Sequence, residues 1–184
     1  MTDVRPLGLP GVLEVTPRRI ADARGFFQET WSRAAFAAVG LDREWVQDNH
    51  SLSRAAGTLR GLHYQTPPAA QAKLVRVTRG AVFDVAVDIR AGSPTRGRWT
   101  ALTLSAERGN QIFVPEGFSH GFLTLEPDTE VQYKVTAPYA PDCDRAIRWD
   151  DPEIGIEWPA PVNRDAMSAK DRAAPSLAEH TTGF

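Results

Sequence analysis

A mainly β fold, built as a sandwich or barrel of short strands, is what this chain predicts from three observations. Clusters of Gly, Pro, Asn and Asp recur at short intervals along its length. β-branched and aromatic runs with strand-like alternation lie between those clusters. Helix signatures occur at only two places, which leaves sheet as the framework and helices at the periphery. The 184 residues, 42% of them hydrophobic, suffice for one well-buried core and are short for two, so residues 1–184 are expected to form a single domain.

The elements follow in order. Ser32 is placed to cap a helix over Arg33 to Val39, which Gly40 ends. From residue 44 to 90 the chain reads EWVQDNHSLSRAAGTLRGLHYQTPPAAQAKLVRVTRGAVFDVAVDIR, where His, Arg, Gln, Asn and Lys repeatedly interrupt apolar alternation. Within it, Lys73, Val75 and Val77 share one face, so valines packed inward carry the lysine inward with them. A buried lysine requires an anionic or carbonyl partner. His63 shares parity with Leu59 and Gly61, whereas Arg60 reaches the same interior only if a bend or bulge at Gly61 turns the strand. In the run from Ala81 to Ile89, Phe83, Val85, Val87 and Ile89 share a face opposite Asp84 and Asp88, the pattern of a strand covering a core on one side. TALTLS at 100–105 alternates similarly, and Tyr133, between Val131 and Val135, is expected to present its phenol to the interior. The Pro-rich stretch from Asp151 to Val162 reads as an ordered surface loop, and Ser168 with Asp171 forms a second helix-capping pattern.

Charge and composition narrow the function. A formal net charge of −2 suggests neither a nucleic-acid surface nor a polybasic membrane patch, so any anion site must be local. No window approaches a membrane span, the N-terminus lacks an apolar leader core, and a single cysteine, Cys143, excludes an internal disulfide. The expected location is the cytoplasm. PEGFSH at 115–120 matches the second motif of metal-binding cupins, with His120 as its imidazole, but the first motif's H-x-H is replaced by His63-Tyr64-Gln65. No metal is therefore expected, although His50, His63 and His120 could meet in space. Each candidate also has a plainer reading: a bonded core histidine or tyrosine, a capping carboxylate at Asp171, solvated loop charges at Arg24 and Lys170.

Taken together, DARGFFQE, VQDNHS, LRGLHYQ, QAKLVRVTRGAVFDVAVDIR, SPTRG, VPEGFSHGF, YK, APDCDRAIRWDDPEIGIEWP and SAKD resemble the dTDP-4-dehydrorhamnose 3,5-epimerase (RmlC) family of the cupin superfamily, from about Gly11 to Asp171. The resemblance implies a cupin-type jelly roll with a few short peripheral helices, no cofactor, and a homodimer in which an N-terminal segment of one subunit completes the partner's site. It implies a dTDP-4-keto-6-deoxyhexose substrate epimerised at C3 and C5. By position in the matching motifs, His63 is the implied general base, Asp171 its orienting carboxylate, Tyr133 the general acid on the opposite face, and Lys73 the cation beside the C4 carbonyl oxygen. Arg24, Phe27, Glu29, Gln47, Asn49, Arg60, His120 and Lys170 match substrate contacts, and Tyr139 a surface for stacking the thymine. Asp144 stands where the family commonly has Glu, implying a shorter or water-mediated contact. The competing expectations are an epimerase acting at C3 or C5 alone, a non-catalytic sugar-binding cupin and a metal-dependent cupin.

Overall fold

The computed structural model describes residues 2–179 and 182–184. Its strands are β1 (Asp3–Pro6), β2 (Leu13–Thr16), β3 (Arg19–Asp22), β4 (Gly25–Gln28), β5 (Gln47–Ser53), β6 (Leu59–Gln65), β7 (Lys73–Arg79), β8 (Ala81–Asp88), β9 (Trp99–Ser105), β10 (Gln111–Val114), β11 (Phe118–Thr124), β12 (Thr129–Val135) and β13 (Asp144–Ala146). A six-stranded sheet runs β1-β2-β10-β7-β12-β5, a five-stranded sheet runs β13-β6-β11-β8-β9, and β3 with β4 forms a separate hairpin. All pairings are antiparallel, giving the jelly-roll β fold that the sequence predicts.

The core between the sheets joins Val75, Val77, Ile112, Val114 and Val131 of one sheet to Val82, Ala86, Leu102, Leu104, Phe118 and Phe122 of the other. The expectation of strands buried on one side fails for β8. Val82, Asp84 and Ala86 face the inter-sheet core, while Val85, Val87 and Ile89 pack outward against Ile147, Ile154 and Leu177. The stretch from Asp151 to Val162 is thus more than a surface loop: Ile154, Ile156 and Trp158 belong to this outer cover. A strand wrapped on both faces reads as a continuous apolar run, so alternation alone cannot tell which face is inner.

The other sheet is covered at its β2-β10-β7 end by α1 (Arg33–Ala37), whose Phe36 packs with Val15, Leu74 and Phe113. Ser32 caps this helix by accepting from the Ala35 N–H. The helix stops short of Val39 because the Gly40 N–H bonds the Ala37 carbonyl and the Leu41 N–H the Phe36 carbonyl, a reversal that the left-handed Gly40 (φ +82°) permits. The second helix, α2 (Ala169–Arg172), starts at Ser168, whose hydroxyl accepts from the Asp171 N–H.

The bend expected at Gly61 is present. Between β6 and β11 the pairing passes from His120↔His63 to Phe122↔Arg60, so β6 holds one residue more than its partner. Leu59 consequently packs with Leu123 and Met167 and Leu62 with Val85 and Val87, while Arg60 and His63 both turn inward, against the simple parity that set them on opposite faces. Gly61 takes φ +131°, and a Cβ there would lie 2.6 Å from the Gly121 Cα and 2.9 Å from the His120 carbonyl oxygen. Gly61→Ala is therefore expected to destabilise the fold by about 2 kcal/mol or more. Urea unfolding measures this, and an unchanged midpoint would show that the bulge tolerates a side chain.

Candidate active site

The bulge, the two sheets and α2 together enclose a cavity of about 460 Å³ lined by Ser51, Leu59, Arg60, His63, His120, Phe122, Tyr133, Ala166, Met167, Ser168 and Asp171. That size suits a small organic ligand. Each polar group arrives by a local rule. β5 and β12 pair with Asn49 opposite Tyr133, so Gln47, Asn49 and Ser51 share the inner face with the phenol. β6 and β11 bring His63 and His120 directly across from each other.

His63 Nε2 lies 2.6 Å from Asp171 Oδ1, linking residues 108 apart in sequence. Asp171 is 3% exposed. Burial pushes its carboxyl up, but the hydrogen bond and charge of His63, with donors from Ser168 and the Gly61 backbone, bring it below the usual Asp value. The capping pattern at Ser168 thus serves the site: the Asp171 backbone completes the cap while its side chain turns to the imidazole. An Nε2–H bonded to this carboxylate leaves the lone pair on Nδ1.

Lys73 points inward as its strand parity requires and is 8% exposed. Its Nζ donates to the His63 carbonyl oxygen at 3.1 Å, the carbonyl partner that burial demands. Desolvation lowers its pKa to about 8, a shift opposed by Asp84 and Asp144 and assisted by Lys170. Burial also raises the Tyr133 phenol above the ordinary tyrosine value, with Arg60 opposing and Asp144 assisting. The phenol is therefore a protonated donor at neutral pH.

Of the other candidates Arg60 lines the cavity, and Gln47, Asn49, Lys73, Tyr139, Asp144 and Lys170 stand outside its lining. Arg60 is held by the Ser53 hydroxyl and the Leu52 carbonyl, both at 3.1 Å. Gln47 donates to Asn49 at 2.8 Å and accepts from the Tyr139 N–H at 3.0 Å. Asp144 accepts from the Tyr139 hydroxyl at 3.2 Å and pairs closely with Lys170. Gln65, in the same β6 motif as His63, clamps the loop bearing Tyr139 by donating to the Ala69 and Pro138 carbonyls and accepting from the Ala140 N–H.

Three candidates lie instead on or just after the β3–β4 hairpin. Arg24, 90% exposed at its side chain, pairs with Asp22 at the hairpin tip. Phe27 is 69% exposed, and Glu29 holds the Ser32 hydroxyl at 2.9 Å. His50 also stays apart, on the outer face of the six-stranded sheet, where it bonds Glu130 at 3.1 Å. Among the described residues no group of three His, Cys, Asp or Glu side chains is arranged to hold a metal ion, and no helix is long and apolar enough to cross a membrane. Asp84, absent from the sequence-derived candidates, is fully buried and accepts from His120. Its signal was a lone carboxylate in step with Val82 and Ala86, read as the outer face because β8 was given one core side.

A family model described as dTDP-4-dehydrorhamnose 3,5-epimerase matches residues 6–179. A relative of that name from Sinorhizobium fredii is 52% identical over 182 residues, which span 97% of this chain and 91% of the relative. The crystal structure of dTDP-6-deoxy-D-glucose-3,5-epimerase from Legionella pneumophila, in complex with dTDP-4-keto-L-rhamnose, is similar with a TM-score of 0.91 at 40% identity, covering 97% of this chain and 94% of that one. A 3'-monoepimerase from Streptomyces bikiniensis, in complex with dTDP-quinovose, gives a TM-score of 0.85 at 37% identity, covering 94% of this chain and 87% of that one. With a family match that runs nearly end to end, this chain belongs to the dTDP-4-dehydrorhamnose 3,5-epimerase family.

Proposed function

We propose that the protein epimerises dTDP-4-dehydro-6-deoxy-D-glucose at C3 and C5 to dTDP-4-dehydro-L-rhamnose, with His63 as base, Asp171 as its orienting carboxylate, Tyr133 as acid and Lys73 as the cation at the C4 oxygen. The observation that carries this reading is the His63–Asp171 pair at 2.6 Å in a cavity that Tyr133 also lines. The hydrogens at C3 and C5 flank the C4 ketone, so removing either sends the C–H electron pair into the carbonyl and leaves an enolate. His63 Nδ1 takes the proton, and Asp171 stabilises the resulting imidazolium. The Lys73 ammonium meets the developing oxyanion in a desolvated site, where one well-placed donor is worth about 3 kcal/mol. Tyr133 then delivers its proton to the opposite face of the carbanion, which inverts the centre. The dTDP diphosphate needs local cations in a chain of nearly balanced charge, and Arg60, which lines the cavity, and Lys170 are the residues to supply them.

The same reading includes a homodimer. Arg24, Phe27 and Glu29 lie on or just after the β3–β4 hairpin, away from the cavity of their own subunit. The hairpin also exposes Ile20, Phe26 and Phe27 at 54, 60 and 69%, an apolar surface that a second copy would cover. A two-fold pairing lets each hairpin reach the partner's cavity. The second reading, inversion at C3 alone, draws on the likeness to the Streptomyces bikiniensis 3'-monoepimerase.

Proton NMR of the 4-keto sugar nucleotide in D2O separates these readings: deuterium entering at both C3 and C5 is expected, and entry at C3 alone would favour the second. His63→Asn is expected to abolish exchange, whereas Tyr133→Phe retains exchange and loses inversion; full epimerisation by Tyr133→Phe would sink the acid assignment. Lys73→Met is expected to lower kcat on the order of 10²-fold or more while stabilising the protein at pH 7 by roughly 1–3 kcal/mol, because a buried charge is removed. The folded pKa near 8 lies below the free lysine value of 10.5, so the unfolded chain binds more protons between them. Wild-type stability therefore gains a contribution as pH rises through that window, and thermal melts of the Met variant should lack it. For the dimer, mixing inactive His63→Asn and Arg24→Ala subunits under exchange conditions is expected to restore activity at up to about a quarter of the sites, since a two-fold hybrid holds one intact site. No recovery would confine each site to one chain.

A further inference from the structure

We propose that Asp84 is a positioning residue for epimerisation: with His120 it forms a second carboxylate–imidazole pair that, beside Lys73, stabilises the enolate oxygen. This rests on the function proposed above and adds a residue and a role to it. The His120 Nε2 lies 2.9 and 3.0 Å from the two Asp84 carboxylate oxygens, so a single N–H is shared between both acceptors. Asp84 is 0% exposed and His120 7%, which removes the carboxylate from bulk solvent. Along β8, Asp84 takes the place of an inward apolar residue between Val82 and Ala86, both in the inter-sheet core. A charge there is costly unless it is paired and hydrogen-bonded, and a structural requirement alone would be met as well by an apolar side chain of similar volume.

The geometry makes this pair the counterpart of the first. His63 and His120 face each other across β6 and β11, and their carboxylates arrive from opposite sides, Asp171 from α2 and Asp84 from β8. Holding His120 by Nε2 leaves Nδ1 as the ring atom able to serve a substrate oxygen. Asp84 behind the ring fixes its orientation, as Asp171 fixes that of His63, so one pair accepts a proton while the other turns Nδ1 toward the oxyanion, which it supports when that nitrogen carries a hydrogen. Asp84 also acts on Lys73. The charged groups acting on that ammonium are Asp84 on β8, Asp144 on β13 and Lys170 on α2, and Asp84 is the largest influence holding it protonated against desolvation. Beside His120 stand Asp84 and the cross-strand His63.

The test is Asp84→Asn, which keeps the shape and removes the charge. Expected is a fall in kcat on the order of 10²-fold with little change in KM, together with an alkaline limb of the kcat–pH profile moved to lower pH, because Lys73 has lost a favourable charge. Asp84→Glu should recover part of the rate and of the limb. Histidine side-chain NMR of the wild type supplies a readout independent of any variant's folding: His120 is expected to carry its proton on Nε2 across neutral pH. A bare Nε2 would overturn the proposal, as would an Asn variant whose pH profile does not move or whose loss lies wholly in KM. A wild-type protein that exchanges neither proton overturns the functional reading and this proposal with it. An active wild type with an unmoved Asn profile overturns the role of Asp84 alone.

Discussion

Charge buried between two apolar sheets is the constraint on which the rest of this structure turns. Asp84, Asp171, Lys73 and His120 are all nearly sealed from solvent, and each would be strongly destabilising without a partner. The fold resolves this by pairing them in place: Asp171 with His63, Asp84 with His120, and Lys73 with a backbone carbonyl. Those pairings fix side-chain orientation before any substrate arrives. The same desolvation brings Lys73 to about 8 and raises the Tyr133 phenol above the ordinary tyrosine value, the kind of perturbation that functional sites share.

Such a site needs a rigid and dry surround, and the jelly roll provides it by covering both sheets on their outer faces. The segment around Ile147, Ile154 and Trp158 closes one sheet, and α1 with Trp31 and Trp45 closes part of the other. The outer covers free the inter-sheet space from being the sole core. Polar side chains can then occupy one end of it while Val75, Val77, Ile112 and Phe118 fill the rest. The bulge at Gly61 adds the one local departure from regular pairing, which places Arg60 and His63 on the same inner face.

The site divides by stiffness as well as chemistry. The groups to which the proposed function gives proton transfer sit on strands or on the capped start of α2, where backbone hydrogen bonds fix them. The groups to which the proposed function gives the nucleotide sit on the loop around Tyr139 and on the β3–β4 hairpin. This is the arrangement expected where chemistry demands sub-ångström placement and binding tolerates adjustment. The tie from Gln65 to the Tyr139 loop joins the two parts through the same strand that bears His63.

The sequence alone determined the β class, the two short helices, and the inward course of Lys73 and Tyr133, because strand parity and capping are local rules that neighbouring residues settle between themselves. It also carried the family, since ordered motifs survive in one dimension. Which face of β8 is inner was not legible: both faces are apolar, and only the packing of the C-terminal segment decides between them, so Asp84 was misplaced. The parity of His63 was overturned by one extra residue at Gly61, whose effect depends on register with β11. Asp171 read equally as a cap and as a partner for His63, and only the tertiary fold, by bringing α2 to β6 across more than a hundred residues, made it both. Periodicity reports a residue's relation to its own strand, whereas a site is defined by relations between strands, which chain folding alone supplies.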